Sequence, residues 1–144
     1  MTMLLVLALT GLQLGPGEPV APLKATLCEL ALRPNELDGK IVSIRGHVIV
    51  SEHDTYMVAE GCSPGDQQIR YIFVWWPLKT PPGLRKFDKL MARSRRHGIR
   101  VTATFTGRVM FSPGNLFGFV HANVELQVLT ASDLKYTQWR KQAP

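Results

Sequence analysis

The sequence predicts a mainly β domain: a five-stranded barrel with one helix ahead of it and a second helix between its third and fourth strands. Three observations carry that prediction. Several segments alternate apolar and polar residues with period two, most regularly in "IRVTATFTGRVMF" (99–111), as a strand with one buried face requires. One longer stretch, "LRKFDKLMARSRRH" (84–97), instead places Leu84, Phe87, Leu90 and Met91 at helical spacing with basic residues elsewhere. Prolines and glycines fall between these segments, where the chain must turn.

The leader "MTMLLVLALTGLQL" is apolar for about a dozen residues, short of the roughly 20 needed to cross a bilayer, and reads as a secretory h-region. It has no Lys or Arg ahead of the apolar run and no clean A-x-A site after it, so a packed N-terminal segment is the competing reading. "GPGEPVAP" then forms a linker or processing region, because Gly and Pro forbid a continued helix. Cys28 follows "KATL", which does not fit a lipoprotein cleavage site. The expected organisation is a leader and linker over 1–22, one barrel domain over 23–135 and a basic tail over 136–144, a length that supports a single core.

Thr26 and Glu29 form a capping box that starts the first helix, with Leu27, Leu30 and Ala31 on one face and Pro34 ending it. "LDG" (37–39) turns the chain. The first strand then points Val42, Ile44, Gly46, Val48 and Val50 one way and Ser43, Arg45 and His47 the other, and Gly46 predicts a bulge or tight bend. "HDTYMVAEG" (53–61) is the second strand and "IRYIFVWWP" (69–77) the third, stopped by Pro77, Pro81 and Pro82. In the third, Tyr71, Phe73 and Trp75 are expected in the core and Trp76 on the outside. After the basic helix, residues 99–111 send Ile99, Val101, Ala103, Phe105, Gly107 and Val109 inward; Val120, Ala122, Val124, Leu126 and Val128 alternate on the last strand. This order matches the OB-fold barrel; an open α+β sheet with the same elements is the competitor.

"LCELALRPNELDGKIVSIRG" followed by Cys62 resembles a group of small secreted bacterial OB-like proteins. They carry a C-[DE]-L…NP…[DN]GK-x-V-x-[VI]-RG opening, a second cysteine after strand two and a late "GRF…GFGHL" segment. The matching positions are Cys28, Glu29, Leu30, Pro34, Asp38, Gly39, Lys40, Val42, Arg45, Gly46, Cys62, Gly107, Arg108, Gly118 and His121. "RPN" and "GNLFGFVHAN" depart from the group's wording. The resemblance implies an OB-like fold and an exported location, in the periplasm or cell envelope, and supplies no catalytic residues.

In an exported chain, two cysteines with none left over are most simply a disulfide, here Cys28 to Cys62, with two buried thiols as the alternative. His47, His53 and His121 show no zinc-ligand spacing, and neither a nucleophile elbow nor a glycine-rich phosphate loop is present, so neither metal, cofactor nor enzyme activity is expected. Residues 1–78 hold five Lys/Arg against eight Asp/Glu, whereas 79–108 hold nine against one. That basic segment includes Lys79, Arg85, Lys86, Lys89, Arg93, Arg95, Arg96 and Arg100.

The function expected is a non-catalytic exported binding or structural module, with a protein partner or an anionic envelope surface and no transmembrane span. The alternative is a single-stranded nucleic-acid or anion-binding domain using the 79–108 basic face. Arg45, Arg70, Trp76 and Arg108 are the candidate binding residues.

Overall fold

The computed structural model describes residues 20–50, 54–97, 99–114, 116–118 and 121–138. Residues 1–19 of the expected leader, His53, Val120 and residues 139–144 of the expected tail lie outside these. The elements are β1 (Leu23–Ala25), α1 (Leu27–Leu32), α2 (Pro34–Leu37), β2 (Ile41–Val50), β3 (Thr55–Ala59), β4 (Arg70–Trp75), a 3-10 turn (Pro82–Leu84), α3 (Arg85–His97), β5 (Ile99–Phe111) and β6 (Val124–Gln138).

Strands β2 to β6 close the barrel. β2 pairs antiparallel with β3 and β5, β3 with β4, and β5 with β6, while β4 and β6 run parallel. The expected five-stranded, OB-fold-like barrel is formed, with α3 between its third and fourth strands. Val42, Ile44, Val101, Phe105 and Val124 share one buried cluster. α3 seals one end: Leu84, Phe87, Leu90 and Met91 are buried there, and the Phe87 ring meets Phe105 edge-to-face at 5.2 Å. β1 was not expected; it lies parallel on β2, with Leu23 opposite Val42, and so β2 is paired on both edges there. α2 was not expected either. Pro34 ends α1 as predicted but also starts α2, since a proline lacks only an N–H that the first turn leaves unbonded.

Four expectations need correction. Of the bulge or tight bend expected at Gly46, the bulge is absent: the β2–β5 register is unbroken from Ile41 to Val48. The glycine makes room instead, since a Cβ there would sit 3.1 Å from Met57 Sδ and 3.3 Å from Leu27 Cδ1. The register shifts lie in the β5–β6 ladder, between Thr102 and Thr104 and between Thr106 and Gly107. Each leaves an extra residue on β6 and bends it around the barrel. Asp133 takes a left-handed φ of 50° in the first shift; at the second, a Cβ on Gly107 would lie 2.6 Å from Gln127 O.

Because of those two shifts β6 runs on to Gln138, well past Val128, where simple alternation ends. The remaining corrections concern β4. Ile72 and Val74 are the buried residues, so Tyr71, Phe73 and Trp75 face outward. The register decides this, placing Ile72 beside buried Met57 and Val74 beside buried Leu126. Trp76, expected outside, turns beneath α3 after the strand ends and packs on Phe87, ring centroids 5.0 Å apart.

Candidate functional site

Once Ile72 and Val74 enter the core, the pleat puts the aromatic side chains of β4 on the barrel's outer wall. Tyr56 of β3 lies opposite Phe73, and its ring meets Tyr71 edge-to-face at 5.4 Å. Phe117 stacks parallel on Phe73 at 6.5 Å, and Phe117 and Ala122 exchange backbone hydrogen bonds. Farther along, Trp75 donates its indole N–H to Glu125 of β6, a residue only 7% exposed. A strip of aromatic rings therefore covers the second and third barrel strands, the face on which OB-folds bind oligonucleotides and oligosaccharides.

Where the strip meets α3 there is a cleft of about 460 Å³, within the roughly 300–1,000 Å³ typical of small-ligand sites. Phe73, Trp75 and Trp76 supply aromatic surface, Asp54 and Asp88 supply carboxylates, and Pro77 and Leu78 form part of the wall. Trp76 donates its indole N–H to Asp88 Oδ1 at 2.9 Å. Among the described residues, neither Lys nor Arg lines the cleft.

The four residues chosen from sequence do not converge. Arg45 is exposed on β2 and donates to Thr104 Oγ1 at 3.3 Å; Arg108, exposed on β5, donates to Gly39 O at 3.1 Å. Along the β2–β5 ladder they are four residues apart, roughly 13 Å at about 3.3 Å per residue. Arg70 is tied into the preceding loop, with Nη1 on Asp66 Oδ2 at 2.6 Å and Nη2 on Gln68 Oε1 at 2.9 Å. The Asp66 carboxyl is held below its usual range, first by the Gln68 backbone N–H and then by Arg70. Trp76 alone of the four lines the cleft.

Among the described residues the basic side chains stay out of the cleft. Lys79, Arg85, Lys86, Lys89 and Arg93 are exposed, the last four on the outer side of α3, and Arg100 has a partner of its own. The side chains of Arg95 and Arg96 lie outside the described residues. His47 is half-buried on β2 and His121 is exposed; among the described residues no three ligating side chains gather to hold a metal. Cys28 and Cys62 form the disulfide, Cα atoms 5.3 Å apart, fastening α1 to the segment after β3.

Sequence reasoning missed Tyr56, Asp54, Asp88 and Glu125, and it set Tyr71, Phe73 and Trp75 aside by placing them in the core. One signal was present: "YIFVWW" is apolar at every position, and a strand of a small barrel can send only alternate side chains inward.

No protein-family model matches the chain, and no curated protein sequence matches it. A solved structure from Leishmania major Friedlin, described as an aspartyl-tRNA synthetase, is similar over 91% of this chain and 24% of its own, with 12% identity and a TM-score of 0.44. This chain thus spans about a quarter of that protein's length, and a likeness at that level says nothing of ligand or activity. The fold assignment rests on the strand ladder.

Proposed function

We propose that the protein is a non-catalytic binding module of the cell envelope, whose ligand lies across the outer aromatic face of β3 and β4 and reaches into the adjoining cleft. The observation that carries this reading is the outward placement of Tyr71, Phe73 and Trp75. Rings on a barrel's outside are retained against the hydrophobic effect, and aromatic surface of this kind stacks on flat or cationic groups. A binding role rather than catalysis is supported by how the polar groups are used: Asp88 and Glu125 hold indole N–H groups in place. Export is supported by the apolar leader and by the Cys28–Cys62 disulfide, a bond that persists in oxidising compartments. Among the described residues no helix is long and apolar enough to cross a membrane.

The second reading is an anion-binding surface on α3, for an anionic envelope surface or a single-stranded nucleic acid. Arg85, Lys86, Lys89 and Arg93 favour it, being exposed on a helix whose opposite side is buried. The two readings separate in one NMR experiment. Amide and indole resonances are followed while the protein is titrated with a short oligosaccharide mixture, choline and an oligo-dT strand. The aromatic-face reading expects shifts confined to β3, β4, residues 116–123 and the indoles of Trp75 and Trp76. Shifts along α3 with oligo-dT alone, falling steeply with salt, would replace it with the second reading.

A further inference from the structure

Resting on the reading of the aromatic face as a binding surface, we infer that the cleft between β4 and α3 takes a small organic cation with an ammonium or quaternary ammonium head group. Trp75 and Trp76 both line the cleft, and tryptophan is the strongest of the aromatic side chains in cation–π attraction. Both indoles give their N–H to a carboxylate, Trp75 to Glu125 and Trp76 to Asp88. Hydrogen bonds polarise the groups that make them. An indole whose N–H is held by an anion therefore has a more electron-rich ring face and a stronger pull on a cation.

Of the two carboxylates, Asp88 lines the cleft itself and Glu125 holds Trp75 from β6. Asp88 and Glu125 each bond a neutral indole, and among the described residues neither forms a salt bridge. A carboxylate has about four acceptor positions and the indole occupies one. A chain of net charge +6 thus carries an acidic, aromatic recess lined by neither Lys nor Arg among its described residues. Phosphates are disfavoured there, and a neutral ligand would leave the charge unanswered. Its volume of about 460 Å³ admits a head group of choline size with its alkyl chain against Pro77 and Leu78.

The test uses choline and its uncharged carbon isostere 3,3-dimethylbutan-1-ol, with the indole N–H signals of Trp75 and Trp76 as the readout. Choline is expected to shift both signals saturably, and the isostere to bind at least tenfold more weakly. Asp88→Asn keeps an acceptor for Trp76 while removing the charge; it is expected to weaken choline at least tenfold while the melting temperature changes little. Equal binding of choline and isostere overturns the inference, whether or not the variant folds, and leaves the aromatic-face reading standing. So do shifts of these signals by the oligosaccharide alone. Choline shifts that map away from β3, β4 and the cleft overturn both.

Discussion

α1 is six residues long and buries one side chain, Leu30, whereas α3 is thirteen residues long and, with the turn before it, sinks Leu84, Phe87, Leu90 and Met91 into the core. A six-residue helix forms few internal bonds against the cost of starting it, and its apolar contact is small. It is fixed by other means. Thr26 and Glu29 exchange capping bonds, Arg33 bridges Glu29 at 3.1 Å and Glu36 at 3.4 Å, and the Cys28–Cys62 bond anchors the helix covalently. The exposed ion pairs add little each, so cap and disulfide dominate. One barrel thus has a helix held by chemistry that redox state and pH can alter, and another held by apolar burial that neither touches.

The largest effect is expected where α3 fills the barrel. Phe87 is fully buried and touches both Trp76 and Phe105, so Phe87→Ala should cost about 3–5 kcal/mol in urea unfolding and loosen the cleft. Loss of the disulfide comes near it. Closing a 34-residue separation is worth roughly 3–4 kcal/mol in the chain-entropy model. In the Cys28→Ser/Cys62→Ser variant, hydrogen exchange should speed up in α1 before α3; equal loosening of both would erase the contrast drawn above. Thr26→Ala removes the hydroxyl that accepts from Glu29 N at 3.1 Å and should cost about 1 kcal/mol.

The smallest effect is one of pH. The Glu29 carboxylate accepts the Thr26 backbone N–H and hydroxyl and sits near Arg33, which together hold its pKa below the ordinary value. A carboxyl depressed in the folded state contributes stability above its unfolded pKa, and that contribution fades as pH falls through the lower folded value. Chemical shifts of α1 should therefore drift toward coil in acid, and Glu29→Gln should remove this pH dependence while α3 is unaffected in both.

What could be read in advance follows from the same contrast. β5 carries Arg100, Thr102, Thr104, Thr106 and Arg108 on one side and apolar residues on the other, so its buried face was legible without any partner. α3 was legible for the same reason. β4 is apolar on both sides, and only its neighbours Met57 and Leu126 decide which side goes in. The candidate site depends on that decision, so the sequence pointed to Trp76 and to arginines on separate surfaces and consigned Tyr71, Phe73 and Trp75 to the core. β6 was cut short because two bulges break its alternation. The disulfide needed no geometry: two cysteines behind a leader-like segment allow a single pairing.

Thermal unfolding of the paired variants Tyr71→Lys and Ile72→Lys tests the facing of β4 most directly. Tyr71 lies on the outer wall and Ile72 is fully buried. Tyr71→Lys is expected to unfold cooperatively within about 5 °C of the parent, a shift of about 1 kcal/mol or less, and Ile72→Lys to lose its cooperative transition because it buries an unpaired charge. A folded Ile72→Lys beside an unfolded Tyr71→Lys would put the aromatic residues back in the core and remove the proposed binding face.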